Sequence, residues 1–245
     1  MGKLYIGTSG WAYKEWKPDF YPPDLPQSRF LEHYGRVLSA CEINATFYRL
    51  QSPDTFRKWA AGTPESFRFA IKAHRGLTHS KSIAPDDKGG LLTGFLESIA
   101  TLEDRLGVVL LQFPPYRRRD DEGLTALLEV LPTDRRHAFE FRHESWDDGD
   151  LHRLIAERGG TICLSETKGE VPESLPDGPL AYVRLRAERY SDGARDGWRA
   201  LLEKESSTRD VYAFAKHEGI PAGDPYGGIG LAQWLYGETR NVGSG

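Results

Sequence analysis

The chain has 245 residues, of which 39% are hydrophobic and 28% charged, and its formal net charge is −4. This composition is typical of a globular protein with a full core, and the mild negative charge provides no overall field that would favour nucleic acid. Cys41 and Cys163 lack CxxC spacing, which favours a reduced, cytoplasmic protein. Because no apolar run of about 18 residues is present, we expect neither secretion nor membrane insertion.

The chain alternates between strand-like and helix-like segments. The strand-like runs are 3–9, 40–44, 67–73, 107–113, 137–142, 160–165, 180–186 and 211–216. Helical spacing of apolar residues falls at 28–39, with Ser28 as the expected N-cap, and at 53–61, 88–105, 121–130, 148–158, 192–204 and within 220–237.

Eight strand–helix units predict an α/β fold, a single TIM-like (β/α)8 barrel that occupies residues 1–245 as one domain. The sixth unit is irregular, because residues 166–179 are rich in proline and glycine. We therefore expect helix 6 to be short or missing.

Side chains alternate between the two faces of each strand. In such a barrel one face meets the outer helices and the other fills the interior, and reactive groups gather at the carboxyl ends of the strands. This alternation places the two cysteines on helix-facing positions. It points a set of polar side chains inward near strand ends: Glu42, Asn44, Lys72, His74, Gln112, Glu140, Arg142, Arg184 and Arg186.

Buried charges are costly unless they are paired or used. A network of ion pairs, such as Glu140 with Arg184, would account for single members of the set, but a set drawn from several strand ends favours a binding site. Four cations, Lys72, Arg142, Arg184 and Arg186, outnumber the carboxylates of Glu42 and Glu140. Guanidinium groups suit phosphate or carboxylate, so the ligand we expect is a small anionic molecule.

The roles follow from the residue types. Glu140 or Glu42 would act as general acid or base, with a pKa adjusted by the neighbouring cations. Lys72, Arg142 and Arg184 would bind the anion and stabilise developing negative charge. Asn44 and Gln112 would orient the substrate, and no organic cofactor is expected.

Several segments resemble the YecE-like proteins, a domain-of-unknown-function family, the one numbered seventy-two. They are "GTSGWAY" (7–13), "YPPDLP" (21–26), "EINATFYRL" (42–50), "FRFAIKAHRGLTH" (67–79), "LLQFPP" (110–115), "FEFRHESW" (139–146) and "YVRLR" (182–186). The resemblance covers nearly the whole chain and implies a TIM-like barrel. It supplies no reaction, although the similarity of this barrel to endonuclease and sugar-isomerase barrels suggests a nucleic-acid role by analogy.

The resemblance adds further positions to the expected site. The motif residues that match are Ser9, Trp11, Glu42, Asn44, Tyr48, Lys72, His79, Gln112, Glu140, Arg142, Trp146 and Arg184. Trp11 and Trp146 would either stack on a ligand ring or pack the loops. The chain departs from the family pattern near its end, where "FAKHEG" places Lys216 and His217.

Two other functions stay open. One is a nucleic-acid-binding or endonuclease-like protein, which would need a basic track beside exposed aromatic rings. The other is a ligand-binding module without catalysis. No metal site is predicted, because the histidines and carboxylates lack diagnostic ligand spacing.

Overall fold

The computed structural model of the chain describes residues 2–80, 83 and 90–242. Eight parallel strands form one sheet: β1 (Leu4–Thr8), β2 (Ala40–Ile43), β3 (Arg68–Lys72), β4 (Leu106–Gln112), β5 (His137–Glu140), β6 (Gly160–Glu166), β7 (Leu180–Leu185) and β8 (Asp210–Ala215). The order is β1-β8-β7-β6-β5-β4-β3-β2, and a parallel bridge between Ser9 and Glu42 joins the two ends. The predicted TIM-like barrel and all eight predicted strands are confirmed.

Helices cover the outside of the barrel. Their bounds are α1 (Phe30–Val37), α2 (Ala45–Tyr48), α3 (Pro53–Ala61), α4 (Arg75–Thr78), α5 (Leu91–Ala100), α6 (Asp121–Val130), α7 (Gly149–Glu157), α8 (Asp192–Ser206) and α9 (Gly228–Val242). Side-chain caps begin several of them: Ser52 before α3 accepts from the Thr55 amide, and Asp148 before α7 accepts from the amides of Asp150 and Leu151. Of the helices in the described ranges, none is both long and apolar enough to cross a membrane.

One helix prediction is confirmed and two differ from the structure. Residues 167–179, all of them described, form no helix between β6 and β7, so the expectation for helix 6 is confirmed. Ser28 does not cap α1, because it lies in a 3₁₀ turn and the cap position falls to Arg29. The helix predicted at 88–105 is shorter than expected: α5 ends at Ala100, a 3₁₀ turn covers Glu103–Arg105, and residues 88 and 89 lie outside the described part of the chain.

The alternation of side chains separates two apolar clusters. The outer one lies between sheet and helices and includes Phe69 and Ile71 of β3, whereas the inner one fills the barrel and includes Ala70. Cys163 belongs to the inner cluster, so its predicted helix-facing position is wrong, while Cys41 does face the helices. Thr161 and Ser165 share the face of β6 that carries Cys163, so the polar residues of this strand mark its inner face.

Candidate functional site

A polar layer lies in the barrel above the inner apolar cluster, at the carboxyl ends of the strands. Successive strands each contribute one inward side chain at this level: Glu42 from β2, Lys72 from β3, Gln112 from β4, Glu140 from β5 and Arg184 from β7. The register places Gln112 directly beside Glu140. All five side chains are buried. The structure thus brings together the core of the predicted set.

Arg184 lies between the two carboxylates. Its Nη2 donates to Glu42 Oε1 at 2.9 Å, and its Nη1 donates to Glu140 Oε2 at 2.6 Å. Its side chain is 3% exposed and those of Glu42 and Glu140 are 0% and 2% exposed. A buried guanidinium with two carboxylates satisfies the need of each charge for an opposite one. The suggested ion pair between Glu140 and Arg184 is therefore present, and it is part of a triad.

Glu42 accepts hydrogen bonds at both oxygens. Ser9 Oγ and Asn44 Nδ2 donate to Oε1 at 3.0 and 3.2 Å, and the Tyr182 hydroxyl donates to Oε2 at 2.9 Å. Burial would raise the pKa of Glu42, but the charge and hydrogen bond of Arg184 lower it below its ordinary value. The carboxylate is thus held ionised, with its lone pairs occupied.

Glu140 is bound in a similar way. Gln112 Nε2 donates to its Oε2 at 2.7 Å and Arg142 Nε donates to its Oε1 at 2.8 Å. Burial opposes ionisation, yet Arg184 and Arg142 outweigh it and lower the pKa to about 2. A carboxyl group with such a pKa carries no proton to donate at neutral pH and is a weak base. The geometry therefore favours a positioning role for Glu42 and Glu140 over general acid–base catalysis.

Lys72 differs from the other cations of the site. Its Nζ donates to Gln112 Oε1 at 2.7 Å and lies 4.0 Å from the centroid of the Phe47 ring. Burial and the charge of Arg184, against the opposing effect of the two carboxylates, together lower the pKa of this amine to about 8. Lys72 is therefore the group of the layer that titrates closest to neutral pH.

The rim of the site carries two further arginines. The Arg142 side chain is 44% exposed, and its two Nη nitrogens make no hydrogen bond within the described ranges. Arg186 donates from Nη1 to Ser9 Oγ at 3.2 Å, and its Nη2 lies 3.6 Å from Glu218 Oε2. Positive charge thus faces the mouth of the barrel. The two buried carboxylates, Glu42 and Glu140, are already paired with Arg184 inside the barrel.

His79 and Asn44 lie beside this layer. The ring of His79 packs edge-on against Phe47 with centroids 4.8 Å apart, and its Nδ1 is 2.9 Å from Thr78 Oγ1. Burial and the charge of Lys72 lower the pKa of His79, which favours its neutral form. Asn44 Oδ1 is buried without a hydrogen-bond partner among the described residues. A buried acceptor of this kind is commonly satisfied by a ligand or by water.

The aromatic residues divide into two groups. Trp146 is 1% exposed, stacks on Phe141 with centroids 4.2 Å apart, and donates from Nε1 to the Arg117 carbonyl at 2.8 Å. It packs the loop after β5, so the ligand-stacking alternative does not fit it. Trp11 packs edge-on against Trp59 at 5.1 Å and lines a cavity of about 700 Å³ between α1 and α3, outside the barrel.

Exposed rings lie on the loops after β2 and β4. Tyr48, at the end of α2, is 71% exposed, and Tyr116 is 67% exposed. Tyr116 is 6.5 Å from His79 between ring centroids. These two rings are available to an incoming ligand.

The positions that depart from the family pattern have structural contacts. Lys216 Nζ lies 3.8 Å from Glu188 Oε1, and His217 stacks on Tyr13 with centroids 4.0 Å apart. The turn after β1 requires glycine at position 10. Gly10 has φ +101°, and a Cβ there would lie 2.3 Å from the Tyr13 hydroxyl, which donates to the Ser9 carbonyl at 2.8 Å.

A metal would need several histidine, cysteine or carboxylate ligands together. Within residues 2–80, 83 and 90–242, no group of three such side chains has that arrangement.

Sequence reasoning did not assign a role to Tyr182, Phe47 or Tyr116. The inward parity of Tyr182 was a usable signal, whereas the position of Phe47 under the Lys72 amine depends on how α2 packs.

The fold places the chain among the TIM-like α/β barrel proteins. The family model described as "Protein of unknown function DUF72" matches residues 5–224, and the chain belongs to this family. The expected resemblance is confirmed.

Individual relatives agree with this assignment. The UPF0759 protein YunF of Bacillus subtilis (strain 168) is 32% identical over 149 residues, which are 58% of this chain and 52% of that protein, so the match spans about half the length of the curated relative. A DUF72 family protein from Thermotoga maritima MSB8 has a similar structure, with a TM-score of 0.74, 24% identity, and coverage of 98% of this chain and 99% of the other. A DUF72 family protein from Enterococcus faecalis V583 is also similar, with a TM-score of 0.71, 17% identity, and coverage of 98% of this chain and 98% of the other. The likeness to these structures concerns the fold.

Proposed function

We propose that this protein is an enzyme that binds a small molecule bearing phosphate or carboxylate at the carboxyl-terminal mouth of the barrel. The observation that carries the proposal is the imbalance of charge: the carboxylates of Glu42 and Glu140 are paired within the barrel, whereas the Nη nitrogens of Arg142 at the rim make no hydrogen bond to any described residue. A guanidinium with two unengaged nitrogens offers the fork that a carboxylate or phosphate accepts.

Each side chain has a role in this proposal. Arg142 and Arg186 bind the anionic group, and Asn44 presents to a donor on the ligand its Oδ1, which has no partner among the described residues. Glu42 and Glu140 hold Arg184 in place, and Glu140 also holds Arg142, so that little rearrangement is needed when the anion arrives. Such preorganisation favours both binding and the stabilisation of charge that develops in a reaction.

Phosphate binding tests the proposal. We expect inorganic phosphate to raise the Tm of the protein, because a ligand at one hundred times its dissociation constant adds roughly 2.7 kcal/mol to the free energy of unfolding. Arg142→Ala should weaken binding, measured by calorimetry, by tenfold or more. Arg158→Ala is the matched control, since it removes the same charge from an exposed position at the end of α7, remote from the mouth.

Two results would contradict the proposal. One is the absence of both heat and stabilisation at millimolar phosphate and millimolar citrate. The other is equal weakening by the Arg142 and Arg158 variants, which would indicate a diffuse charge effect.

The exposed rings favour one alternative, binding of single-stranded nucleic acid. Tyr48 and Tyr116 are available for stacking on bases, and base–aromatic stacking is a general mode of single-strand binding. This alternative predicts that an oligonucleotide binds more tightly than phosphate and that its affinity falls steeply with salt. Similar affinities for the two, with a shallow dependence on salt, would favour the small anion.

A further inference from the structure

The Lys72 amine is buried, and no residue in the described part of the chain serves as its counter-ion. It stands at the end of β3, is 9% exposed, and has its Nζ hydrogen-bonded to the neutral oxygen of Gln112 at 2.7 Å. No carboxylate oxygen of the described residues lies within 4.0 Å of it, although two carboxylates belong to the same polar layer. An ammonium group in such a place has lost water and gained no ion pair in return.

The orientation of Gln112 explains why the lysine is kept from the carboxylates. Glu140 is ionised and can only accept hydrogen bonds, so the amide group that faces it at 2.7 Å must be the NH2. The amide oxygen then has to point to Lys72. Gln112 thus stands between the amine and the carboxylate and supplies one acceptor without a negative charge.

The charged groups around Lys72 come from several elements. Arg184 of β7 and Arg142 after β5 face it with positive charge, the lowered pKa of His79 after α4 favours its neutral form, and the carboxylates Glu42 and Glu140 are engaged by the arginines. The net result lowers the pKa of the amine to about 8. At pH 7 roughly one-tenth of the amine is then unprotonated, against far less than one-hundredth for an ordinary lysine.

The surroundings of the amine suit a nucleophile. Burial favours the neutral, nucleophilic form of the amine and outweighs the ring of Phe47, 4.0 Å from Nζ, and the Gln112 oxygen, both of which favour the ammonium form. Buried lysines with a lowered pKa serve in proteins as bases or as the amines of Schiff bases. A lysine that only attracted anions as an exposed cation would not need the Gln112 amide between its amine and the Glu140 carboxylate.

We propose that Lys72 Nζ is the reactive amine of this site and forms an imine with the carbonyl carbon of an anionic aldehyde or ketone. The inference rests on the proposed function, because the rim arginines supply the binding site for the anionic group. It narrows the substrate class to oxo compounds that carry carboxylate or phosphate.

The step balances without a further reactant. The nitrogen lone pair of Lys72 adds to the carbonyl carbon, and the carbonyl oxygen takes up a proton as the amine loses one, which gives a carbinolamine. The second nitrogen-bound proton and the hydroxyl group then leave as one molecule of water, and a C=N bond forms. Nothing is oxidised or reduced.

Reductive trapping tests the proposal on the full chain. Glyoxylate and pyridoxal 5′-phosphate are the probes, one a carboxylate and the other a phosphate ester, and each is an aldehyde. The protein is incubated briefly with either probe and sodium cyanoborohydride, then analysed by intact mass and by peptide mapping. We expect one adduct, at Lys72, formed at least tenfold faster than at the exposed Lys58, with a rate that rises around pH 8 and falls when phosphate is added.

Variants distinguish the reactivity of the Lys72 amine from the effect of its positive charge. Lys72→Arg keeps the positive charge and should abolish the fast adduct, whereas Lys58→Arg should leave it unchanged. Gln112→Glu should slow the adduct, because a carboxylate beside the amine raises its pKa. The peptide map of the unaltered protein decides the question even if a variant fails to fold.

Labelling of Lys72 no faster than of Lys58 would overturn the inference. If phosphate still binds in a manner that depends on Arg142, the proposed function survives that result and the lysine serves only as a cation. If Lys72 is labelled rapidly but phosphate neither binds nor protects it, the amine is reactive and the proposed anion site fails.

Discussion

Replacement of Glu140 by glutamine tests the polar layer at the carboxylate that is paired with two arginines, Arg142 and Arg184. The side chain is 2% exposed and accepts hydrogen bonds from Arg184 at 2.6 Å, Gln112 at 2.7 Å and Arg142 at 2.8 Å. Glu140→Gln removes the negative charge and turns an NH2 group toward donors. The guanidinium of Arg184 would then be buried with one carboxylate, that of Glu42, instead of two.

The magnitude follows from two independent considerations. Breaking a buried ion pair by removing one partner costs about 3–5 kcal/mol. The pKa of Glu140, lowered to about 2, corresponds to a stabilisation of about 3 kcal/mol in the ionised state. For a chain of this length each kcal/mol changes the Tm by roughly 2–4 °C, so we expect a decrease of roughly 6–20 °C.

Urea unfolding at pH 7 measures the change, with Glu144→Gln as the matched control. Glu144 lies four residues further along, in the 3₁₀ turn after β5, and is exposed, so its replacement should alter the free energy of unfolding by no more than about 0.5 kcal/mol. A loss below about 1 kcal/mol for Glu140→Gln, or a gain in stability, would refute the view that Glu140 holds the arginines in place. An acid–base role for this carboxylate would then deserve renewed study.

Further predictions concern titration, thiols and packing. Because the folded pKa of Glu140 lies below the unfolded value, its contribution is complete above about pH 4.5 and is lost as the pH falls toward 2, so urea unfolding of wild type and Glu140→Gln should converge over that range. The folded pKa of Lys72 is also lowered, to about 8, so wild type should gain about 3 kcal/mol relative to Lys72→Met between pH 8 and 10.5, and a constant difference would contradict the burial of this charge. Cys41 and Cys163 are buried and burial raises the pKa of each thiol, so neither should react with a disulfide reagent at pH 8 until the protein is denatured, and rapid reaction of the native protein would be inconsistent with their positions. Trp146→Ala should cost about 3–5 kcal/mol in urea unfolding and leave phosphate affinity unchanged, whereas a selective loss of affinity would return Trp146 to the binding site.

The sequence alone was sufficient for the barrel and for the direction of most charged side chains. Eight apolar runs separated by helical segments define the strand–helix order. Within β5 and within β7 the apolar side chains occupy the helix-facing positions, so the period of two places Glu140 and Arg184 on the inner face of the barrel. Because the carboxyl ends of parallel strands meet at one end of a barrel, residues as distant as Glu42 and Arg184 could be placed together before their contacts were known. The family motifs identified the same positions independently.

The alternation in β6 carried a signal that the prediction for Cys163 did not use. Thr161 and Ser165 share a face with Cys163, whereas Ile162 and Leu164 lie on the opposite, helix-facing side. Ser28 was misplaced for a different reason, since a 3₁₀ turn precedes α1 and shifts the cap to Arg29. Helix ends are decided by backbone geometry that residue preferences define only to within a residue or two.

The chemistry of the site depended on tertiary contacts. Parity placed Glu140 and Lys72 in one cluster, but only the packed barrel decided that Gln112 lies between them with its oxygen toward the amine. The pKa of a buried group reflects desolvation and the distances to its neighbours, and neither quantity is encoded in the order of residues along one strand. For that reason the sequence pointed to the carboxylates as the acid and base, whereas the structure ties both of them to arginines and leaves Lys72 as the group that titrates near neutral pH.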